Sequence, residues 1–400
     1  MAFDFMEWLQ LGIRWIHVIT GIAWIGASFY FIWLDMNLTP PEKGGRKDQD
    51  GVGGELWAIH GGGFYEVQKY RVAPPALPPH LHWFKYEAYF TWISGFALLT
   101  VLYYFGAEIY LIDKSVADIS TDAAILIGLG TLIGGWVVYD FLCKTPLINN
   151  QAVFGAVLFI LLTLAAWGLS HVFSGRGAYI HVGALIGTIM AANVLMIIMP
   201  GQRALVSAAE RGEAPDPAPG LKAKQRSLHN NYFTLPVLFI MISNHYPGTF
   251  GHEYGWAILA SLAIVGIMVR HYFNMKNQGR AKQGAFLLPL AFVLFFVIAY
   301  LAAPEKVDLS GGPAVSSAEV QSIIEERCVS CHAAKPSNED FETAPKAVKL
   351  ETLAEIKREI NRIRQQVVES DAMPLGNITE MTEEERLTIG RWIAQGGKID

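Results

Sequence analysis

Apolar residues come in long runs separated by short polar stretches, and these runs set the architecture. Eight runs approach the length, roughly twenty residues, that a helix needs to cross the hydrocarbon core of a bilayer. They lie at approximately Leu9–Asp35, Tyr86–Phe105, Ala123–Leu142, Ala152–Ser170, Ala178–Met199, Tyr232–Tyr246, Gly255–Val269 and Gly284–Ala303. The sixth and seventh are short and polar at their ends. After residue 303 the pattern changes. Residues 304–316, with Gly311-Gly312-Pro313, read as a linker. Beyond it, a polar helix-prone run (Ser317 to Arg327) and a closing amphipathic helix (Glu383 to Ala394, with Trp392) bound a small polar domain at 317–400. The fold class expected is all-α, a polytopic membrane bundle of about eight transmembrane helices in 1–303 followed by this C-terminal domain.

Composition agrees. Hydrophobic residues make up 52% of the 400 residues, high for a soluble chain. The net charge of −5 supplies no basic surface for nucleic acid. Three cysteines are too few for a disulfide framework, and Cys143, at the end of a span, reads as a small buried hydrophobe.

Two of those cysteines carry the most specific motif. Cys328-Val329-Ser330-Cys331-His332 is C-x-x-C-H, the attachment signature of a c-type haem. The two thiols, one helical turn apart, reach two points on one macrocycle, and His332 offers a ring nitrogen to the iron. Met373, before Pro374, is a thioether on a loop suited to the sixth position; Met381, beside a helix start capped by Thr382, is its rival. Helix, C-x-x-C-H, Met-Pro loop and closing helix together resemble a small class I cytochrome c.

Haem c is attached outside the cytoplasmic membrane, so 317–400 should be periplasmic, and eight spans put the N-terminus there too. The loops then inside carry Lys43, Arg46, Lys47, Lys69, Arg71, Lys85, Lys144, Arg203, Arg211, Lys222, Lys224, Arg226, Arg270, Lys276, Arg280 and Lys282; those outside carry only Lys114 and Arg176. That is the positive-inside pattern. The expected location is a bacterial inner membrane.

The inside loop 37–85 is longer than a connector needs. It contains His60-Gly-Gly-Gly-Phe-Tyr-Glu66 and a proline-rich return, and its glycines would let backbone approach a ligand. Ionisable residues within spans are costly and therefore functional candidates. His17 lies in the first span, His181 opens the fifth and His245 closes the sixth. Paired histidines on facing helices can grip a b-type haem, and the pair read here is His17 with His181 or His245. The run from His17 to Trp24-Ile-Gly26 is similar to small membrane haem proteins, including the membrane protoporphyrinogen oxidase family. Asn193, Asn230 and Asn231 serve equally as interhelical glue or as substrate partners, and Asp140 is read as facing head groups.

The His17 span, the His60–Glu66 loop, Leu228-His229-Asn230-Asn231 leading to Pro236, and the tail with Cys328 to His332, Met373-Pro-Leu-Gly-Asn377 and Met381-Thr-Glu-Glu-Glu-Arg386 together resemble the bacterial membrane-bound urate oxidase (urate hydroxylase) family. The resemblance implies oxidation of urate to 5-hydroxyisourate, with electrons leaving through cytochrome c and on to a soluble cytochrome c or a terminal oxidase. Such a site needs a base and a cationic clamp. The candidates are Glu66 and His60 as bases, and Arg14 and Arg71, with Lys69 and Lys85, as clamp. Haem c, and a b-type haem in the membrane domain, are the cofactors implied. A quinol–cytochrome c electron-transfer protein and a non-catalytic membrane haem protein are the competing readings.

Overall fold

The apolar runs fold as helices because backbone in hydrocarbon must satisfy its polar groups within its own segment. The structure, a computed structural model, describes residues 5–303, 309 and 311–399. Its long helices are α1 (Phe5–Asn37), α2 (Tyr86–Leu99), α3 (Thr121–Leu142), α4 (Gln151–Ser170), α5 (Gly175–Glu210), α6 (Ala218–Ser243), α7 (Gly255–Asn277) and α8 (Leu287–Leu301). Most of the expected linker, 304–308 and 310, lies outside the described residues.

Six segments are long and apolar enough to cross a membrane: α1, α3, α4, α5, α7 and Ala281–Leu301. The two other expected spans form helices that differ in kind. In α2 the regular winding gives way to a π turn at Thr100–Tyr104. The first third of α6 is polar, and Arg226, Asn230 and Asn231 are turned inward and buried. Its polarity therefore faces the bundle interior.

Side-chain caps set several starts. Ser120 Oγ accepts from Ala123 N–H, Asn150 Oδ1 from Val153 N–H and Ser174 Oγ from Gly177 N–H. The hub is α5, whose most apolar stretch is 56% buried against 11–28% for the other candidate spans. Small residues let its neighbours close on it. A Cβ on Gly135 of α3 would lie 1.9 Å from Leu185 Cδ1, and one on Gly183 would lie 2.7 Å from Ile240 of α6. On the outside, Trp15, Ile22, Leu126, Ile133, Phe292 and Phe296 are exposed. An apolar exterior of this kind suits lipid.

The 37–85 loop is an addition to the all-helical expectation. It folds as an antiparallel hairpin, β1 (Val52–His60) and β2 (Gly63–Tyr70). Gly61 and Gly62, at φ 58° and 81°, form the two-residue turn that needs left-handed backbone at both positions. Those glycines build a turn, where the sequence suggested a ligand cradle. Lys47 bridges Glu55 and Glu66, Arg71 pairs with Asp48, and Lys69 ties β2 to Asp35 at the end of α1.

The C-terminal domain packs α9 (Ser317–Arg327), α10 (Leu353–Arg358) and α11 (Glu383–Ala394) around Val320, Ile324, Ile356, Ile389 and Trp392. Thr382 and Glu385 form a reciprocal cap at the start of α11, and Glu385 also binds Arg327 of α9. The domain sits against the end of the bundle opposite the hairpin. Its contacts include the 370–376 loop, where Ala372 packs on the bundle core and Gly376, at φ 57°, comes so close that a Cβ would lie 2.6 Å from Ile112 O, and the 364–368 turn, which meets Pro247–Phe250.

Two outcomes follow. Gly135→Val should destabilise the bundle by about 1–3 kcal/mol, because overpacking forces Leu185 off its rotamer; an unchanged melting temperature in detergent would contradict the α3–α5 contact. In the hairpin, the Gly44 N–H and then Arg71 hold the Asp48 carboxyl below the usual carboxylate range, and Lys47 and then Gln68 do the same for Glu66. Depressed carboxylates stabilise above their unfolded pKa, and that contribution is lost as pH falls through the folded value. Amide protection across 52–70 should therefore decline as pH drops below the ordinary carboxylate range; protection that is flat with pH would contradict it.

Candidate functional site

A polar cluster lies inside the hairpin end of the bundle, built on one stretch of α6. Residues 226–231 turn through more than one helical repeat, so Arg226, His229, Asn230 and Asn231 point at different neighbours. Asn230 Nδ2 donates to Met190 O at 3.0 Å, and its Oδ1 accepts from Asn193 Nδ2 at 2.9 Å. Asn193 opens a π turn in α5 (Asn193–Ile198). Its Nδ2 also donates to Tyr139 Oη at 3.0 Å, and Tyr139 Oη lies 2.7 Å from His229 Nδ1. His229 stacks on Phe154 with centroids 4.9 Å apart. Arg226, 5% exposed, binds Asp140 Oδ1 at 2.7 Å and lies over the Tyr139 ring. Asp140, read from sequence as facing head groups, is instead the counter-ion of a buried arginine. It also pairs with Lys144 at 2.6 Å.

On the α7 side of the same stretch, Asn231 meets Arg270 and Asn274. Arg270 Nε donates to Asn231 Oδ1 at 3.0 Å and to Asn274 Oδ1 at 3.2 Å, and its Nη2 donates to Asn274 Oδ1 at 2.9 Å. Asn274 Nδ2 donates to Asn231 Oδ1 at 3.0 Å. Phe29 of α1 covers the guanidinium at 4.2 Å.

The residues singled out from sequence are scattered. His60 is exposed at the hairpin tip, and Glu66 and Arg71 are held in the hairpin ion pairs. Arg14 is exposed on α1. His17 Nδ1 lies 3.0 Å from Thr91 O and 3.1 Å from Ser94 Oγ on α2, and its Nε2 has no hydrogen-bond partner among the described residues. His181 is fully buried, with Nδ1 at 2.8 Å from Gly177 O and Nε2 at 3.3 Å from Tyr104 Oη. A Cβ on Gly128 would lie 2.7 Å from that Nε2, so iron on His181 would require α3 and Tyr104 to yield. His245 is exposed at the end of α6. His17 is thus bonded at Nδ1 alone, His181 at both ring nitrogens, and the exposed His245 ring makes no hydrogen bond among the described residues.

In the C-terminal domain, the Cys331 and His332 N–H groups both donate to Cys328 O, at 3.2 and 2.9 Å. This single turn places Cys328, Cys331 and His332 on one loop of backbone. His332 Nδ1–H donates to Val348 O at 2.9 Å, which leaves Nε2 free to ligate. Met381 is buried and Met373 is partly buried, and both pack in the core that Cys328 and Val329 border. Arg386 Nη1 donates to Met373 O at 2.8 Å. These residues fit a covalently held haem with one histidine and one methionine ligand. Among the described residues, no group of three or more His, Cys, Asp or Glu side chains could hold a metal ion.

Between the domain and the bundle is a cavity of about 220 Å³ lined by Tyr110, His171, Arg176, His252, Trp256 and Asp371, among others. Partial desolvation at this contact raises the Asp371 carboxyl above its usual range, although the residue as a whole remains exposed.

Sequence reading missed Asp140, Arg226, Arg270 and Asn274 as site residues. The arginines were counted as positive-inside charges, which hid them. The spacings Arg226-x3-Asn230 and Arg270-x3-Asn274, each placing a charge and an amide on one helix face, were the available signal.

The model of the urate oxidase N-terminal family matches residues 4–303. No curated protein and no solved structure matches the chain.

Asn193→Ala should cost about 2 kcal/mol of stability, since it leaves Asn230 Oδ1 without its donor and Arg226 with one acceptor fewer. Thermal unfolding reads this out, and a variant as stable as the parent would show that the network is replaced by water.

Proposed function

The chain belongs to the urate oxidase N-terminal family, and we propose that it oxidises urate to 5-hydroxyisourate in its membrane bundle and passes the electrons to a haem c in its C-terminal domain. Urate and one water give 5-hydroxyisourate, two protons and two electrons. When bound, the haem supplies a one-electron acceptor, so two successive transfers are needed, and a b-type haem with His17 as one ligand is part of the proposal. Electrons then leave to a soluble cytochrome c or a terminal oxidase. The chain would sit in a bacterial inner membrane with its N-terminus and C-terminal domain periplasmic and the hairpin cytoplasmic.

The observation that carries this reading is the coincidence of two features in one chain. The family match covers the bundle, and the C-x-x-C-H turn, with His332 Nδ1 on Val348 O, supplies a haem site in the domain docked on that bundle. The 370–376 loop that makes the contact also carries Met373. Buried amides and arginines at the hairpin end offer what a planar, anionic, polar heterocycle needs. Glu66 and Arg71 are occupied by Lys47 and Asp48, so the buried cluster is the better source of binding groups.

Adding urate anaerobically to the purified chain should reduce its haem bands, and a chain reduced by quinol but not by urate would overturn the reading. Cys331→Ala should abolish covalent haem while leaving the bundle inserted. Met373→Ala should lower the haem potential with the covalent spectrum intact; an unchanged potential would assign the sixth position to Met381.

A further inference from the structure

The bundle buries two arginines and treats them differently. Arg226 has a carboxylate, Asp140, at 2.7 Å. Arg270 is 6% exposed, and among the described residues no carboxylate lies within ion-pair distance of it. Its acceptors are two neutral amide oxygens, Asn231 Oδ1 and Asn274 Oδ1. Its Nη1 makes no hydrogen bond among the described residues.

The neighbouring amide is also incomplete. Asn231 is fully buried and its Nδ2 has no hydrogen-bond partner. The amide orientation is set by chemistry, because Arg270 can only donate and Asn231 Oδ1 must therefore face it. An uncompensated cation and an unmet donor inside an apolar bundle are each costly. One anionic, hydrogen-bond-accepting ligand would satisfy both.

We propose that Arg270, Asn231 and Asn274, under the Phe29 ring, form the recognition site for the purine monoanion. This rests on the reading of the chain as a urate oxidase and deepens it. The guanidinium supplies charge and a donor edge for adjacent carbonyl and ring-nitrogen acceptors, and the Asn231 Nδ2 supplies a second donor. Phe29, now against the guanidinium at 4.2 Å, provides an aromatic face on which a flat heterocycle stacks once the ring has moved aside. The site selects by charge. A neutral purine such as hypoxanthine satisfies neither the guanidinium nor the cost of its burial, and it should compete poorly.

Asn231→Asp is the decisive variant. It puts a carboxylate where Oδ1 already accepts from Arg270 at 3.0 Å, so the chain keeps a matched pair and its fold while the site loses its free positive charge. Urate binding is measured by equilibrium dialysis on the full-length, haem-loaded protein held reduced with dithionite, so that no turnover occurs. The parent should bind urate, Asn231→Asp and Arg270→Gln should weaken binding by about tenfold or more, and Arg270→Lys should lie between. The haem spectrum and melting temperature of Asn231→Asp should match the parent. If Arg270→Gln fails to fold, Asn231→Asp alone decides. Should Asn231→Asp bind urate as tightly as the parent, the cluster is structural and the proposal is overturned, although urate still reduces the parent. Should the oxidised parent not be reduced by urate at all, the function reading fails and takes this site with it.

Discussion

A guanidinium inside a helix bundle has to be met by something, and the way this bundle meets its two organises everything at the hairpin end. Arg226 is met by Asp140, by the Asn193 amide and by the face of Tyr139. That single set of contacts joins α3, α5 and α6, and it explains why α6 can be polar at its start without facing lipid. The polar groups are paired with one another across helices, as groups in a low-dielectric interior must be. Arg270 is met only by amides. The asymmetry separates a structural joint from a site with unmet binding capacity.

The opposite end of the bundle obeys a different constraint, close approach of two bodies. Gly376 and Gly251 are the points of contact: a Cβ on Gly251 would lie 3.1 Å from Asp371 Oδ1, and one on Gly376 would strike the Ile112 carbonyl. Docking through a loop that carries Met373 gives a direct physical connection between the bundle and the C-terminal domain's core. The lined cavity beneath that loop leaves part of the interface polar, a feature of interfaces that form and release more readily than a sealed apolar one. Chemistry at the hairpin end would still require an electron carrier between the two ends, which is the place the proposal gives to His17.

Much of the helical architecture was legible in the sequence because its cause is local. A run of apolar residues long enough to span hydrocarbon leaves the backbone one option, and all eight runs are helical. The tight turn at Cys328–His332 was legible too, since the spacing of the motif sets its backbone geometry. The hairpin was not read, although Gly61-Gly62 between β-prone segments was a turn signal; the triple glycine was read for access instead of for positive φ. The buried network was hidden for a deeper reason. Asp140, Arg226 and Arg270 lie near span ends, where a charge ordinarily snorkels to the interface, and nothing within a single helix shows that a partner waits on another. The unmet Asn231 amide is visible only once α7 is packed against α6.

The central claim is that electrons taken from urate leave through the C-terminal domain instead of reducing oxygen to peroxide. The most direct test counts them. Purified chain is given a known amount of urate and an excess of a soluble cytochrome c under air, and reduced cytochrome and peroxide are measured together. The account predicts two cytochromes reduced for each urate consumed, with no peroxide. One peroxide for each urate, with the cytochrome left oxidised, would contradict it.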